Sequence, residues 1–170
     1  MSRSPYPERL DLMDFIAVFG SVYEHSPWVA EAVYPSLTPG TDAASMAEQM
    51  RSVVDTASQK RKLALLCAHP DLAGRLTLAE LTKSSRLEQT GAGLDRCTPE
   101  ELGEFLELNA AYTEKFGFPF IFSVKGYHRQ DILEAFRVRV NNSSDTEFTT
   151  AIEQVHRIAK LRLETITNEN

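Results

Sequence analysis

The chain has 170 residues, a formal net charge of −6 and only two cysteines, which show no metal-ligand spacing. A chain of this length can bury about two-thirds of its unfolded surface without disulfides or a structural metal. Scattered lysines and arginines exclude the positive face of a nucleic-acid binder, and neither a membrane-spanning run nor a secretory signal is present, so we expect a cytoplasmic protein with no nucleic-acid or membrane partner.

Capping residues and apolar residues at helical spacing predict helices throughout the first half of the chain. A loose N-terminal arm, residues 1–10, comes before them. The predicted helices run from Asp11 to Gly20, from Ser26-Pro27 to Pro35, from Thr41 or Asp42 to about Ser58, and from Gln59 to Ala68. In the last of these, Leu63, Leu66 and Cys67 are expected on one face.

The second half is predicted to be helical as well. Capping boxes at Thr77–Glu80 and Ser85–Glu88 predict short helical turns. A longer helix is expected over Thr98–Phe116, with a cap at Thr98, an end at Gly117 and the stripe Leu102, Phe105, Leu106, Asn109, Tyr112 and Phe116. Further helices are expected over Asp131–Val140 and over Ser144–Ile166, the second beginning with a Ser144–Glu147 capping box. Phe120–Val124 is a buried extended run that has no partner strand. The sequence therefore predicts an all-α fold: a single compact domain, residues 1–170, of about seven to eight helices that is not a coiled-coil bundle.

His69 is the candidate acid or base. It follows a predicted helix directly, and Pro70 favours extended backbone at His69. The negative end of the helix dipole stabilises the imidazolium form, so this side chain could titrate near neutral pH. The residues alone leave open the alternative that His69-Pro70-Asp71 is only a helix stop followed by a turn.

Arg162 is the second unusual residue, because it continues the apolar stripe of the last helix. A core-facing guanidinium needs a carboxylate, from a ligand or from a structural acid such as Asp71, unless it reaches the surface. Glu88 also has two interpretations, since closing the capping box with Ser85 explains its spacing by itself.

Other polar residues receive structural interpretations. Asn109 is expected to be a hydrogen-bonded core amide, and His25, His128 and His156 are expected on the surface without forming a metal site. No Gly-x-Ser-x-Gly elbow or phosphate-binding glycine loop occurs. A small, anionic, hydrogen-bonding substrate fits this set of residues, and so does a helical interaction module.

Four motifs keep their order and spacing over most of the chain. They are His69-Pro70-Asp71-Leu72-Ala73-Gly74; Ser85-x-x-Glu88-Gln89 followed by Ala92-Gly93-Leu94; Asn109-x-x-Tyr112-x-x-x-Phe116-Gly117-Phe118-Pro119-Phe120; and Ile158-Ala159-x-x-Arg162-Leu163. Together they closely resemble the 2-oxo-4-hydroxy-4-carboxy-5-ureidoimidazoline (OHCU) decarboxylases of the urate degradation pathway. The resemblance extends from Leu12 to Ile166.

The resemblance implies an all-α, cofactor-free, usually homodimeric enzyme that converts OHCU to (S)-allantoin and carbon dioxide. Functional coupling to hydroxyisourate hydrolase is a further expectation, because some relatives are fused to that enzyme. The alternative is a catalytically silent helical binding module that retains the family fold.

The resemblance also implies roles for individual residues. Its catalytic residues fall on His69, Glu88 and Arg162, and no metal ligand is implied. Its substrate-binding residues fall on Pro70, Ser85, Arg86, Leu87, Glu88, Gln89, Phe120, Ile121, Phe122, Ser123 and Val124. His69 would move a proton, Glu88 and Gln89 would hold the ureido group, and Arg162 would bind an anionic group or orient Glu88. Backbone N–H groups from Ile121 to Val124 could contact the ring carbonyls.

Overall fold

The computed structural model describes residues 10–38, 40–70 and 97–168 of the chain. Within these ranges the backbone forms seven α-helices, one turn of 3-10 helix at Tyr34–Ser36 and no β-strand, which confirms the all-α prediction. The helices are α1 (Leu12–Phe19), α2 (Trp28–Val33), α3 (Ala43–Asp55), α4 (Gln59–Ala68), α5 (Pro99–Phe116), α6 (Arg129–Arg139) and α7 (Ser144–Asn168). In the described ranges no helix combines the length and the apolar character needed to cross a membrane.

Backbone contacts group the helices into two compact units, divided after Ala68 and before His156. The first unit contains α1 to α4 and the C-terminal part of α7, and the second contains α5, α6 and the N-terminal part of α7. That residues 1–170 form one domain stays a prediction.

Side-chain caps begin three of the helices where the sequence predicts them. The Asp11 carboxylate accepts a hydrogen bond from the N–H of Asp14 at 2.9 Å, and the Asp42 carboxylate accepts one from the N–H of Ser45 at 2.8 Å. At α5, Thr98 and Glu101 form a reciprocal capping box with distances of 3.1 and 3.2 Å. These bonds satisfy N–H groups that have no partner inside the helix, which explains why short sequence signals locate helix starts.

Two predicted caps are wrong. The Ser26 hydroxyl donates to the carbonyl of Glu24 at 3.0 Å, and α2 has no side-chain cap. At α7 the capping side chain belongs to Ser143, whose hydroxyl accepts from the N–H of Thr146 at 3.2 Å. The shift by one residue removes Glu147 from the predicted capping box and leaves its carboxylate to interact elsewhere.

Packing also selects a different buried face on two helices. On α4 the buried residues are Leu65 and Leu66, whereas Leu63 and Cys67, which share a face with Leu66 in the sequence pattern, are exposed, Leu63 by 40%. On α5, Phe105 and Tyr112 are buried but two predicted stripe residues are exposed, Leu102 and Leu106. Apolar residues at helical spacing cover more than one helix face, so the helices packed nearby decide which face is buried.

Each unit has its own apolar core. The core of the first unit is mainly aliphatic, with three aromatic side chains, Phe15, Phe19 and Tyr23, and it includes Val29, Val33, Met46, Met50, Val54, Leu65, Leu66 and Leu163. The second is built around aromatic rings, in which Phe120 stacks on Phe136 with ring centroids 3.8 Å apart and Tyr112 meets the Phe120 ring edge-on at 5.3 Å. The aromatic core therefore includes the first residue of the predicted substrate-binding segment.

Candidate functional site

Phe120–Val124, called the core segment below, is a buried stretch of irregular backbone in the second unit. Phe120, Ile121, Ser123 and Val124 are each at most 5% exposed, and Phe122 is half-buried. The prediction of a buried run without a partner strand is confirmed. Buried backbone polar groups need hydrogen-bond partners, and here no neighbouring strand supplies them.

Side chains from α6 and α7 supply two of these partners. The Arg139 guanidinium donates through Nη1 to the carbonyl of Ile121 at 2.7 Å, and the side-chain carbonyl of Gln154 accepts from the N–H of Ser123 at 2.8 Å. A backbone bond from Tyr127 to the Val124 carbonyl, 3.0 Å long, holds the end of the segment. The Ser123 N–H is thus engaged within the protein, which corrects the expectation that every N–H from Ile121 to Val124 could contact a substrate.

Phe122 differs from its two neighbours. No described peptide bond is cis, so the N–H of Phe122 points away from the Ile121 carbonyl that binds Arg139. By the same geometry the Phe122 carbonyl points away from the Ser123 N–H that binds Gln154. Neither polar group of the Phe122 backbone makes a hydrogen bond within the described residues. One donor and one acceptor, on a single half-buried residue, therefore have no hydrogen-bond partner among the described residues.

Arg139 is itself held by a buried carboxylate. Its Nη2 atom donates to Glu147 at 3.0 Å and its Nε atom lies 3.2 Å from each Glu147 oxygen, while its guanidinium carbon lies 4.4 Å from the centroid of the Phe120 ring. Arg139 is 7% exposed and Glu147 is fully buried. Glu147 also accepts hydrogen bonds from the Tyr112 hydroxyl and, at 2.9 Å, from the Asn142 amide. These donors satisfy a charge that burial would otherwise make very unfavourable.

The same surroundings change the acidity of Tyr112. Burial, followed in importance by the hydrogen bond to the Glu147 carboxylate, raises the pKa of the Tyr112 phenol far above its ordinary value. Both effects disfavour a phenolate, since burial removes water and Glu147 already carries a negative charge. Tyr112 therefore acts as a hydrogen-bond donor to Glu147 at any physiological pH.

The structure places His69 directly after the last residue of α4, where the sequence predicts a helix end. His69 is only 7% exposed, and Pro70 is half-buried. His69 is counted with the core segment in the second unit. A histidine that only ended the helix could remain exposed to solvent. The burial of His69 therefore favours the interpretation that it is more than a turn residue.

Arg162 lies in the first unit and is 5% exposed, as its position on an apolar stripe predicts. Its Nη1 atom lies 2.7 Å from a carboxylate oxygen of Glu24, which is fully buried. The same nitrogen lies 3.5 Å from the carbonyls of Ser21 and Val22. The requirement for a carboxylate is confirmed, and Glu24, which sequence reasoning missed, meets it. Asp71, the acid suggested by the sequence, lies outside the described residues.

The surface prediction for His156 is wrong. His156 is 5% exposed; its Nδ1 lies 2.8 Å from the Tyr23 hydroxyl and its Nε2 lies 2.9 Å from the Asp55 carboxylate. The spacing contained a signal for this, since His156 lies four residues after the buried Ile152 and therefore on the same face of α7. His25 and His128 are exposed as predicted.

The remaining predicted site residues were placed by motif alone. Ser85, Arg86, Leu87, Glu88 and Gln89 lie outside the described residues, as do the two predicted capping boxes and most of the N-terminal arm. Asn109 is half-buried on α5. Among the described residues, no three His, Cys, Asp or Glu side chains come together as a group that could hold a metal ion.

Comparison with known proteins relates most of the chain to one family. The model of the family described as OHCU decarboxylase matches residues 8–164. A protein of Haloferax volcanii named 2-oxo-4-hydroxy-4-carboxy-5-ureidoimidazoline decarboxylase is 43% identical over 155 residues, which are 91% of this chain and 90% of that protein. The uric acid degradation bifunctional protein of Bacillus sp. (strain TB-90) is 36% identical over 169 residues, which are 99% of this chain and 33% of that protein.

A solved structure supports the same relationship. The crystal structure of an (S)-allantoin synthase matches with a TM-score of 0.77 and 34% sequence identity. The match covers 94% of this chain and 52% of the synthase chain, so the chain spans about half the length of that protein.

Proposed function

Because the chain belongs to the OHCU decarboxylase family, we propose that it is a carboxy-lyase that converts OHCU to (S)-allantoin and carbon dioxide. The observation that carries this proposal is the family match over residues 8–164, together with 43% identity to a relative named for the reaction. The four motifs identified in the sequence lie within the matched range.

The proposed chemistry needs no cofactor. When the bond to the carboxylate breaks, its electron pair moves into the neighbouring ring imine, and carbon dioxide leaves. Protonation of the imine nitrogen gives an enaminol. The ureido-bearing ring carbon of this enaminol then accepts a proton on one face, which sets the (S) configuration, while the hydroxyl loses its proton and becomes the ring carbonyl of allantoin. The protein has to bind the substrate, exclude water and control the proton transfer.

We assign the proton transfer to His69. Its burial and its position at the end of α4 support this role, since a fixed imidazole can exchange a proton with the substrate hydroxyl or carboxylate. General acid–base assistance of this kind is typically worth about a hundred- to ten-thousand-fold in rate. Pro70 would restrict the backbone beside it.

The core segment would bind the ring of the substrate. We assign these contacts to the N–H and carbonyl of Phe122, because Phe122 is the half-buried residue of the segment and neither of its backbone groups makes a hydrogen bond among the described residues. A cyclic ureide offers the complementary acceptor and donor. Phe120 and Phe122, whose rings stack with centroids 6.2 Å apart, would exclude water from these contacts.

The motif Ser85–Gln89 would hold the ureido group, with Glu88 accepting from its N–H groups and Gln89 pairing with it as an amide. Serine at 85, arginine at 86 and leucine at 87 would line the same region. Arg162 is proposed to bind an anionic group or to orient Glu88. The ion pair with Glu24 explains the burial of Arg162 without a substrate, so the catalytic role of Arg162 rests on the family motif.

The assembly and the cellular setting are also proposals. We propose a homodimer in the cytoplasm, coupled functionally to hydroxyisourate hydrolase. The bifunctional relative supports coupling, since its name describes more than one activity of uric acid degradation in a single chain.

The decisive experiment measures the optical activity of the product. Urate oxidase and hydroxyisourate hydrolase generate OHCU in the cuvette, and circular dichroism follows allantoin with and without the protein. Because OHCU also decays unaided to racemic allantoin, total yield is uninformative. An excess of (S)-allantoin supports the proposal, whereas a racemic product at high protein concentration would favour the silent binding module.

A further inference from the structure

We propose that Arg139 and Gln154 are positioning residues that hold the core segment so that the backbone groups of Phe122 face the substrate. This inference rests on the proposed function. It concerns two side chains that the sequence motifs do not include and that reach the segment from different helices, α6 and α7.

Gln154 fixes one peptide unit of the segment. Its side-chain carbonyl accepts the Ser123 N–H at 2.8 Å, and in a trans peptide this points the Phe122 carbonyl in the opposite direction. A half-buried glutamine on α7 could instead have been oriented toward solvent. It instead accepts a hydrogen bond from the backbone N–H of Ser123, 31 residues earlier in the chain. This bond fixes the direction of the Phe122 carbonyl.

Arg139 fixes the preceding peptide unit. Its Nη1 donates to the Ile121 carbonyl at 2.7 Å, which points the Phe122 N–H away from α6. The flat face of the same guanidinium lies over the Phe120 ring, 4.4 Å from its centroid. One side chain thus holds the backbone of Ile121 and the ring of Phe120, and only a planar fork with several donors can do both.

Glu147 keeps the guanidinium in place. A buried ion pair is often no more stabilising than well-packed apolar residues of the same volume, so stability alone does not account for Arg139 and Glu147. Apolar residues in place of Arg139 and Glu147, however, would offer no hydrogen-bond donor to the Ile121 carbonyl. We infer that the ion pair serves the geometry of the segment, and through it the Phe122 donor and acceptor.

The test compares Gln154→Met with Gln154→Glu. Methionine keeps the length of the side chain but has no strong acceptor, whereas glutamate still accepts from the Ser123 N–H. We expect Gln154→Met to raise KM about three- to tenfold, which is the effect of losing one hydrogen bond. The value of kcat should stay nearly unchanged, because the ground state and the transition state use the same contact. Gln154→Glu is expected to restore most of the affinity.

Two further measurements separate positioning from general stability. Hydrogen exchange of the Ser123 amide, followed by NMR, should be faster in Gln154→Met than in the wild type. The melting temperature should fall by only about a few degrees, as expected for one lost hydrogen bond. The matched control is Gln130→Met at an exposed position of α6, which should alter neither Ser123 exchange nor KM. Arg139→Lys keeps a positive charge for Glu147 but loses the planar fork, and it should also raise KM.

The outcomes distinguish this inference from the proposed function. If the wild type gives no excess of (S)-allantoin, both are wrong. If the wild type is active and Gln154→Met leaves KM within twofold, or leaves Ser123 exchange unchanged, only the inference is overturned. Should Arg139→Lys fail to fold, the Gln154 variants alone decide.

Discussion

A carboxylate oxygen of Glu24 lies 2.7 Å from Nη1 of Arg162, and neither residue is more than 5% exposed. The pair joins the turn after α1 to the C-terminal part of α7, within the first unit. It explains how an arginine can continue an apolar helix stripe, because each buried charge neutralises the other. Removing either charge takes this counter-ion from the other, which stays buried.

We therefore expect Glu24→Gln to destabilise the protein strongly. Glutamine keeps the shape of the side chain but removes the charge, and breaking a buried pair in this way typically costs about 3–5 kcal/mol. The free energy of unfolding from urea titrations measures the loss.

The matched control is Glu104→Gln, which removes a carboxylate that binds Arg137 on the surface of the second unit, where the two side chains are 36% and 47% exposed. Exposed pairs are usually worth at most about 1 kcal/mol. If Glu24→Gln costs no more than this control, the structural importance of the buried pair is refuted.

Replacing His69 should abolish most of the activity. Asparagine is close in size and polar, so His69→Asn preserves much of the packing but cannot transfer a proton near neutral pH. We expect the rate of (S)-allantoin formation to fall about a hundred- to ten-thousand-fold. Circular dichroism on freshly generated substrate gives this rate, and His128→Asn, at an exposed histidine, is the control. A rate for His69→Asn within a few-fold of the wild type would exclude the proton-transfer role.

Glu88→Gln separates the two interpretations of Glu88. Glutamine can still close a capping box with Ser85 but carries no charge for a ureido N–H. As a substrate contact, Glu88→Gln should reduce kcat/KM at least about tenfold while the melting temperature stays near that of the wild type. A lower melting temperature with unchanged turnover would show that Glu88 has only a capping role.

Tyr112→Phe should lower the free energy of unfolding below pH 10, and the loss should be smaller above pH 10. The lost hydrogen bond to the buried Glu147 carboxylate typically costs about 1.5–3 kcal/mol. Since folding raises the pKa of Tyr112, its contribution is fully present below the unfolded-state pKa of about 10 and declines as the pH rises further, because only the unfolded state then loses the proton.

The measurement is the difference in unfolding free energy between the wild type and Tyr112→Phe from pH 8 to pH 11. The difference should be constant up to about pH 10 and narrow above it. A difference that grows with pH would contradict the raised pKa.

Several features of the protein could be predicted from sequence because they depend on contacts within a few residues. The Thr98–Glu101 capping box and the glycine at position 117, with a φ of +76° that favours glycine, locate both ends of α5. The end of α4 before His69 follows from Pro70 for the same local reason. Motif order then indicated the family, and the comparisons confirm it.

Local spacing was misleading where a polar side chain has a distant partner. Glu147 fits a capping box in the sequence, yet its carboxylate is buried against Arg139, and His156, expected on the surface, lies between Tyr23 and Asp55. In both cases the spacing along the sequence is compatible with a side chain exposed to solvent and with one buried in the core. The packing of other helices decides between them.

The sequence by itself thus determined the helices, the family and the position of His69, since each depends on short-range backbone preferences or on motifs read along the chain. Only the tertiary structure decided that Glu24 neutralises Arg162 and that Arg139 and Gln154 hold the core segment. The physical reason is that a buried charge or an unpaired peptide group is satisfied by whichever partner the fold brings within about 3 Å, and sequence distance does not restrict that choice.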